Sequence, residues 1–290
     1  MFDTPGGESA SKMGLVGVEG DAGVLEGWRE DAELCDPLYI PRSYEPNYAY
    51  PLLTLLHDHG GSARAWIEAM PAISRRNHLG VALRGPWVSP GSSEPGRCDW
   101  GVSYERPRPS HVAETADRPP REETCDVVRF RGVCQCGEEG FDDRDLNELL
   151  VFQAVRRVRR LLHVHSERVF LVGVGQGAAV ALDLGLRHPD RFAGVVAING
   201  WLPRVPGLLK RFRDLKGFPI LWQSSQFHPA ADLEGDLQAV RLLSASGCRV
   251  EAQSHATRET MNARMLSEID RWVLEQFALE SPVSSALRSR

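Results

Sequence analysis

The chain has 290 residues, of which 42% are hydrophobic and 25% charged, the balance of one large globular domain able to bury a sizeable core. Its formal net charge of -5 gives no electrostatic case for nucleic acid or an anionic membrane surface. The six cysteines, Cys35, Cys98, Cys125, Cys134, Cys136 and Cys248, are unevenly spaced in a chain too large to need disulfide staples, so reduced thiols in the cytoplasm are the default expectation.

In chain order, residues 1–25 are rich in Gly, Ser and Asp and read as a flexible tail, with neither the basic start and apolar run of a signal peptide nor a membrane span. Residues 26–280 read as one domain, and 281–290 as a flexible C-terminal tail. Pro37 to Pro41 is a short extended segment, Tyr50 to His57 a buried strand, Ala63 to about Arg76 a helix, and Leu79 to Pro86 the next strand and its exit. The composition then shifts. Residues 87–143 are dense in Pro, Gly, Ser, Arg and Glu without sustained periodicity and read as an insertion or lid-like segment, with Trp100, Gly101 and Phe130 as candidate anchors. Within it Cys125, Cys134 and Cys136 lie near His111, but C-x-C is poorer than the paired C-x-x-C of zinc sites, so no metal is assigned.

An amphipathic helix is expected over about Asp145 to His163. Arg156, Arg157, Arg159 and Arg160 alternate there with Leu150, Ala154, Val155, Val158 and Leu162 at helical spacing, which makes the basic run a solvated helix face. The chain continues with strand Val169 to Val172, helix Ala178 to Arg187, a strand within Phe192 to Gly200, strand Phe218 to Trp222, helix Asp232 to Ser246, strand Cys248 to Gln253 and helix Thr260 to Phe277. Strands alternating with helices imply an α/β fold with a mainly parallel sheet covered on both faces. There is no internal repeat.

The segment Val169-Phe170-Leu171-Val172-Gly173-Val174-Gly175-Gln176-Gly177 carries the most information. It has the layout of the strand-to-helix elbow that presents a catalytic serine, with glycine at the serine position. Such a residue is held at positive φ, which strains serine and suits glycine. A dinucleotide-binding turn is the competing reading of G-x-G-x-G. That fingerprint belongs after the first strand of a βαβ unit, whereas this run lies past the middle of the chain.

Together with the elbow, His57-Asp58-His59-Gly60-Gly61-Ser62, Leu83-Arg84-Gly85-Pro86, Arg187-His188-Pro189-Asp190-Arg191-Phe192-Ala193-Gly194-Val195-Val196 and Asn199-Gly200-Trp201-Leu202-Pro203 make the chain resemble the phospholipase/carboxylesterase branch of the α/β-hydrolase superfamily, acyl-protein thioesterase-like enzymes included. The resemblance covers about residues 35–278 and implies an α/β-hydrolase fold, ester or thioester hydrolysis by a Ser-His-Asp triad, and no cofactor. It also implies an oxyanion hole built from the backbone N–H groups of His59 and Gln176.

Departures from the pattern coincide with the triad. The nucleophile position is Gly175. His228, before Pro229, stands where the resemblance places the acid, with Gln226 close by, and Glu259 stands where it places the base. These roles act as a unit, so losing all three argues against triad catalysis. His255 and Asp232 are the alternative base and acid; the bland readings put His255 in a surface turn and make Asp232 a helix cap. Ser224 and Ser225 read as turn residues. Asp58 replaces a glycine usual in active relatives and is expected to point away and bond a turn. If the loops keep the positions the resemblance implies, His228 and Glu259 face each other as an imidazole–carboxylate pair able to act as a general base on water; the bland readings are a structural ion pair or two exposed loop residues.

The leading expectation is a catalytically impaired homologue that binds a small ligand or protein partner, with no nucleic acid and with homo-oligomerisation open. The alternatives are an active ester or thioester hydrolase with rearranged residues, centred on Glu259 and His228 or on His255, and a structural subunit with a vestigial pocket.

Overall fold

A computed structural model describes residues 15–17, 22–25, 36–88, 97–104, 106, 142–208 and 212–280. The heart of it is β4 (Tyr50–Leu56), all of whose residues are buried. Leu52 and Leu56 point into one apolar layer, Leu53 and Leu55 into the other, as the twofold period of a strand requires. A strand apolar on both faces fits only the interior of a sheet covered twice. Each fully buried leucine contributes about 1.5–3 kcal/mol.

Around β4 the sheet runs β1 (Leu15–Gly17), β2 (Ala22–Leu25), β3 (Leu38–Pro41), β5 (Leu79–Leu83), β4, β8 (Val164–Val174), β9 (Gly194–Ile198), β10 (Pro219–Ser225) and β11 (Arg249–His255). From β5 to β11 all neighbours are parallel, and β1, β2 and β3 add an antiparallel edge. Two of those edge strands lie within residues 1–25, so the sheet starts inside the expected tail. On one face pack α2 (Asp143–Leu161), α3 (Gln176–Arg187) and α4 (Leu233–Ala245). On the other lie α1 (Ala63–Ile73) and α5 (Ala263–Glu280), where Trp272 meets Phe170 edge-on at 5.9 Å. No helix among the described residues is long and apolar enough to cross a membrane.

Several expected boundaries move for local reasons. Helix α1 stops at Ile73 and not near Arg76, because Ser74 is extended at φ -158° and its hydroxyl accepts the N–H groups of Arg76 and Asn77, a turn that competes with the helix. Asp232 caps α4, its carboxylate accepting the Gly235 N–H. The basic run of α2 keeps Arg156, Arg159 and Arg160 exposed while Leu150, Ala154, Val155 and Val158 are buried.

A larger difference concerns the segment after β5. Its first part is not a peripheral loop: β6 (Trp87–Val88) pairs antiparallel with β7 (Cys98–Asp99), and Trp100 and Tyr104 are completely buried. Tyr104 donates its hydroxyl to Asp183 Oδ2 at 2.8 Å. The buried Asp183 carboxylate also pairs with Arg144 at 2.6 Å and Arg187 at 3.0 Å, so one side chain of α3 ties down this segment and α2. Composition misjudged these residues because a few well-placed aromatics outweigh many Pro and Gly. The cysteine cluster, His111 and Phe130 lie outside the described residues.

Removing the Asp183 carboxylate takes a buried partner from Tyr104 and from two guanidinium groups that are 15% and 19% exposed, leaving Arg187 to Glu148 and Arg144 to the Pro206 carbonyl. Asp183→Ala is expected to lower unfolding free energy by about 3–5 kcal/mol, read from the urea midpoint at unchanged denaturant slope.

Candidate functional site

The site is built where β8 ends at Val174 and α3 begins at Gln176, leaving Gly175 alone to make the turn at φ 53° and ψ -115°. Gly175 donates its N–H to Ile198 O at 2.9 Å and its carbonyl accepts from Ala178 and Ala179, so the turn is held from both sides. Gly177 allows α3 to cross β4 at backbone contact, since a Cβ there would overlap the carbonyl oxygens of Leu56 and His57. Both glycines are therefore dictated by geometry, one by φ and one by approach.

Asp58, which follows β4, does not point away. Its Oδ1 accepts the His59 N–H at 2.7 Å and the Gln176 N–H at 2.8 Å, two charge-assisted bonds at the short end of the range. A Cβ built on Gly175 would overlap this same carboxylate. The carboxylate thus fills the space that a side chain at position 175 would need. The expectation for Asp58 fails because its neighbouring glycines spend their turn bonds on backbone, Gly61 N–H to Asp58 O and Gly60 N–H to Cys98 O, while two donors at the elbow are left for the carboxylate.

Behind Asp58 the support is rigid. His57 is 2% exposed; its Nε2 accepts the Gly85 N–H at 3.0 Å, which assigns the proton to Nδ1 and lets it donate to Asp58 O at 2.7 Å. Burial lowers the His57 pKa from 6.5 to about 4, against the opposing bond to Asp58. Trp100 Nε1 donates to His57 O at 2.8 Å. The Gln176 side chain accepts from Trp100 N at 3.1 Å and donates to Gly101 O at 3.0 Å, clamping the segment after β7 to the first residue of α3. Gly101 and Trp100 do anchor that segment, behind the elbow.

His228 and Glu259, expected at the other two triad positions, have separate partners. His228 Nδ1 accepts from Ala230 N and Nε2 lies 3.2 Å from Thr260 Oγ1. Glu259 is exposed, and its backbone N–H donates to Thr257 Oγ1. Among the described residues no hydrogen bond or ion pair joins His228 to Glu259, and the two stand as separate loop residues. Of the alternatives, Asp232 serves as a cap, and His255 is buried at the end of β11 and not in a surface turn, its Nε2 3.4 Å from Glu268 without a hydrogen bond. Gln226 is exposed and bonds Ser254.

Ser224 and Ser225 are strand residues, not turn residues, because β10 pairs with β11 through Ser225↔His255. Ser224 donates to Asp236 Oδ2 at 2.6 Å; burial raises the Asp236 pKa despite that bond.

Sequence reading missed two groups at this rim. Asn199, the non-glycine residue at φ 49°, accepts from Ser225 N at 2.7 Å and donates to Thr260 O at 2.7 Å, joining the loops that carry His228 and Glu259. Arg106 donates to the carbonyls of Ala230 and Asn199 and lies over the Trp201 ring at 4.9 Å. Arg106 sits in no motif, and Asn199 opens the Asn199-Gly200-Trp201-Leu202-Pro203 motif without a role assigned to its side chain. No group of three or more metal-ligating side chains occurs among the described residues.

A parallel sheet with helices on both faces, a positive-φ elbow and backbone donors converging beside it define the class: the chain has the α/β-hydrolase fold. Residues 143–270 match the Phospholipase/Carboxylesterase family. Carboxylesterase SOBER1 of Arabidopsis thaliana is 24% identical over 136 residues, 44% of this chain and 60% of the relative. A probable SOBER1-like carboxylesterase of the same plant is 23% identical over 48% of this chain and 56% of its own length. The chain thus spans somewhat over half the length of the curated relatives it matches. The crystal structure of SOBER1 superposes at TM-score 0.54 with 18% identity over 79% of this chain and all of that one. A carboxylesterase from Mesorhizobium loti superposes at 0.55 with 18% identity over 88% and 99%. These likenesses establish the fold.

Gly175→Ser is expected to cost about 1–3 kcal/mol from the positive φ alone, plus a clash with Asp58 that Gly175→Ala shares. Adding Asp58→Gly should recover the clash part, giving a favourable coupling of about 0.5–3 kcal/mol in a urea double-mutant cycle; strictly additive costs would show that the carboxylate does not fill this space.

The His57 pKa has a separate consequence. The unfolded imidazole binds a proton below 6.5 and the folded one only near 4, so the stability of the neutral buried ring is present above 6.5 and is lost as pH falls towards 4. The gap corresponds to about 3 kcal/mol. Native protein should lose about that much more stability than His57→Asn between pH 7 and pH 4, measured by urea midpoints at each pH.

Proposed function

We propose that this protein is a carboxylesterase-like α/β-hydrolase homologue that does not hydrolyse esters and works by binding a small molecule or a protein partner. One observation carries this reading: the backbone donors of His59 and Gln176 are both spent on Asp58 Oδ1, beside an elbow whose residue is glycine. Loss of a serine nucleophile alone costs on the order of 10^6 in kcat, and a hydrolase without its triad keeps about 10^3–10^4 over water through the oxyanion hole and substrate binding. Here even that remainder is taken away, because an ester carbonyl oxygen would have to displace a fixed negative charge from the hole. The separate bonding of His228 and Glu259 supports the same reading.

The oxyanion-hole role of His59 and Gln176, and the correspondence of Gly175, His228 and Glu259 to a vanished triad, belong to this proposal. So does a cytoplasmic location, supported by Cys248, a buried free thiol whose pKa burial pushes up to about 11.

Purified protein should therefore show no turnover of p-nitrophenyl acetate or butyrate above a matched blank and no labelling by a fluorophosphonate probe. Saturable hydrolysis that disappears in Glu259→Gln would replace this reading with a rearranged hydrolase. Restoration needs more than the triad. The variant carrying Gly175→Ser, His228→Asp and Glu259→His should stay inert, and only addition of Asp58→Gly should produce measurable esterase activity on a small activated ester.

A further inference from the structure

The two oxygens of Asp58 have unequal fates. Oδ1 holds both elbow donors, at 2.7 and 2.8 Å. Oδ2 has no hydrogen-bond or ion-pair partner among the described residues, and Asp58 is only partly buried. The cation that reaches this loop, Arg97, donates to Gly60 O at 3.1 Å and does not pair with Asp58. A second carboxylate, Asp99, lies close by with no exposure, accepting from Gly101 N at 2.8 Å and standing 3.9 Å from His59 Nδ1.

A hole lined by two N–H groups recognises developing negative charge. Once a carboxylate is fixed in it, what the site presents outward is the other oxygen of that carboxylate: an acceptor bearing negative charge and immobilised by its partner oxygen. The sign of the ligand that this position attracts is thereby reversed.

We propose that Asp58 acts as a tethered carboxylate ligand that has converted the elbow from an oxyanion-binding site into a site for a hydrogen-bond-donating cation, with small primary ammonium compounds as the ligand class. The inference rests on the reading of the elbow as a binding site without hydrolase chemistry, and names what that site takes. A primary ammonium offers three N–H donors and forms with Oδ2 the charge-assisted bond that Oδ1 already forms with backbone. An ester or a carboxylate finds the donors spent and meets like charge.

Ethylammonium and acetate, each titrated into the native protein and two variants, test this by amide chemical shifts of His59, Gly175 and Gln176. Native protein should respond saturably to ethylammonium and not to acetate. Asp58→Asn keeps an acceptor oxygen for both donors and the shape of the side chain but loses the charge, so ethylammonium affinity should fall by at least about tenfold with acetate still unable to bind. Asp58→Gly frees both donors, and its specificity should invert to acetate. The proposal is overturned if ethylammonium does not shift these amides in native protein, if Asp58→Asn binds it unchanged, or if native protein binds acetate as well as Asp58→Gly does. None of these titrations involves ester turnover, so their failure is separable from a failure of the functional reading.

Discussion

Two backbone N–H groups, from His59 and Gln176, must find an acceptor where the end of β4 meets the start of α3. Gln176 is 1% exposed, and leaving its buried donor unmet costs about 1–3 kcal/mol, a cost that an enzyme of this fold accepts in exchange for a hole that a substrate oxygen can enter. In this chain Asp58 Oδ1 satisfies both. A constraint that catalysis would keep open is closed internally, and the neighbouring arrangement follows from it. Position 175 has no room for a side chain while Asp58 stays, so glycine at the elbow and aspartate at position 58 are two halves of one packing solution.

What surrounds the elbow is built to hold it still. His57, neutral and buried, bonds Gly85 and the Asp58 carbonyl, and Trp100 and Gln176 bind the segment after β7 against α3. The Asp183 cluster continues the same tie outward to Arg144, Arg187 and Tyr104. Polar groups buried this deeply stabilise a fold only when their partners are in place. The rim shows a parallel economy: Asn199 accepts a positive φ because its side chain joins β10 to the loop before α5. The loops that carry His228 and Glu259 are thereby held together.

Much of the architecture was legible in the chain. The apolar runs Leu52 to Leu56 and Val169 to Val172, set between helical patterns, specify a doubly covered parallel sheet. The helix cap at Asp232 and the solvated arginines of α2 follow from local chemistry. Errors fell where local chemistry competes with distant partners. Ser224 and Ser225 look like turn residues by type, yet β11 extends their strand. His255 looks like a loop residue, yet the register places it beneath α5 against Glu268. Trp100 and Tyr104 lie in a stretch whose composition is that of a loop, yet they are core residues. The Asp58 and Gly175 departures were each visible, but they lie 117 positions apart (175 − 58) and nothing local couples them.

By itself the sequence determined the α/β-hydrolase fold and the positive-φ elbow at Gly175, because strand periodicity and glycine stereochemistry are properties of short segments. Only the tertiary structure decided where the Asp58 carboxylate points, that His228 and Glu259 do not pair, and that the chain after β5 enters the core. Those outcomes depend on which donors, acceptors and apolar surfaces from separate elements converge at one edge of the sheet, and that convergence is a property of the packed chain.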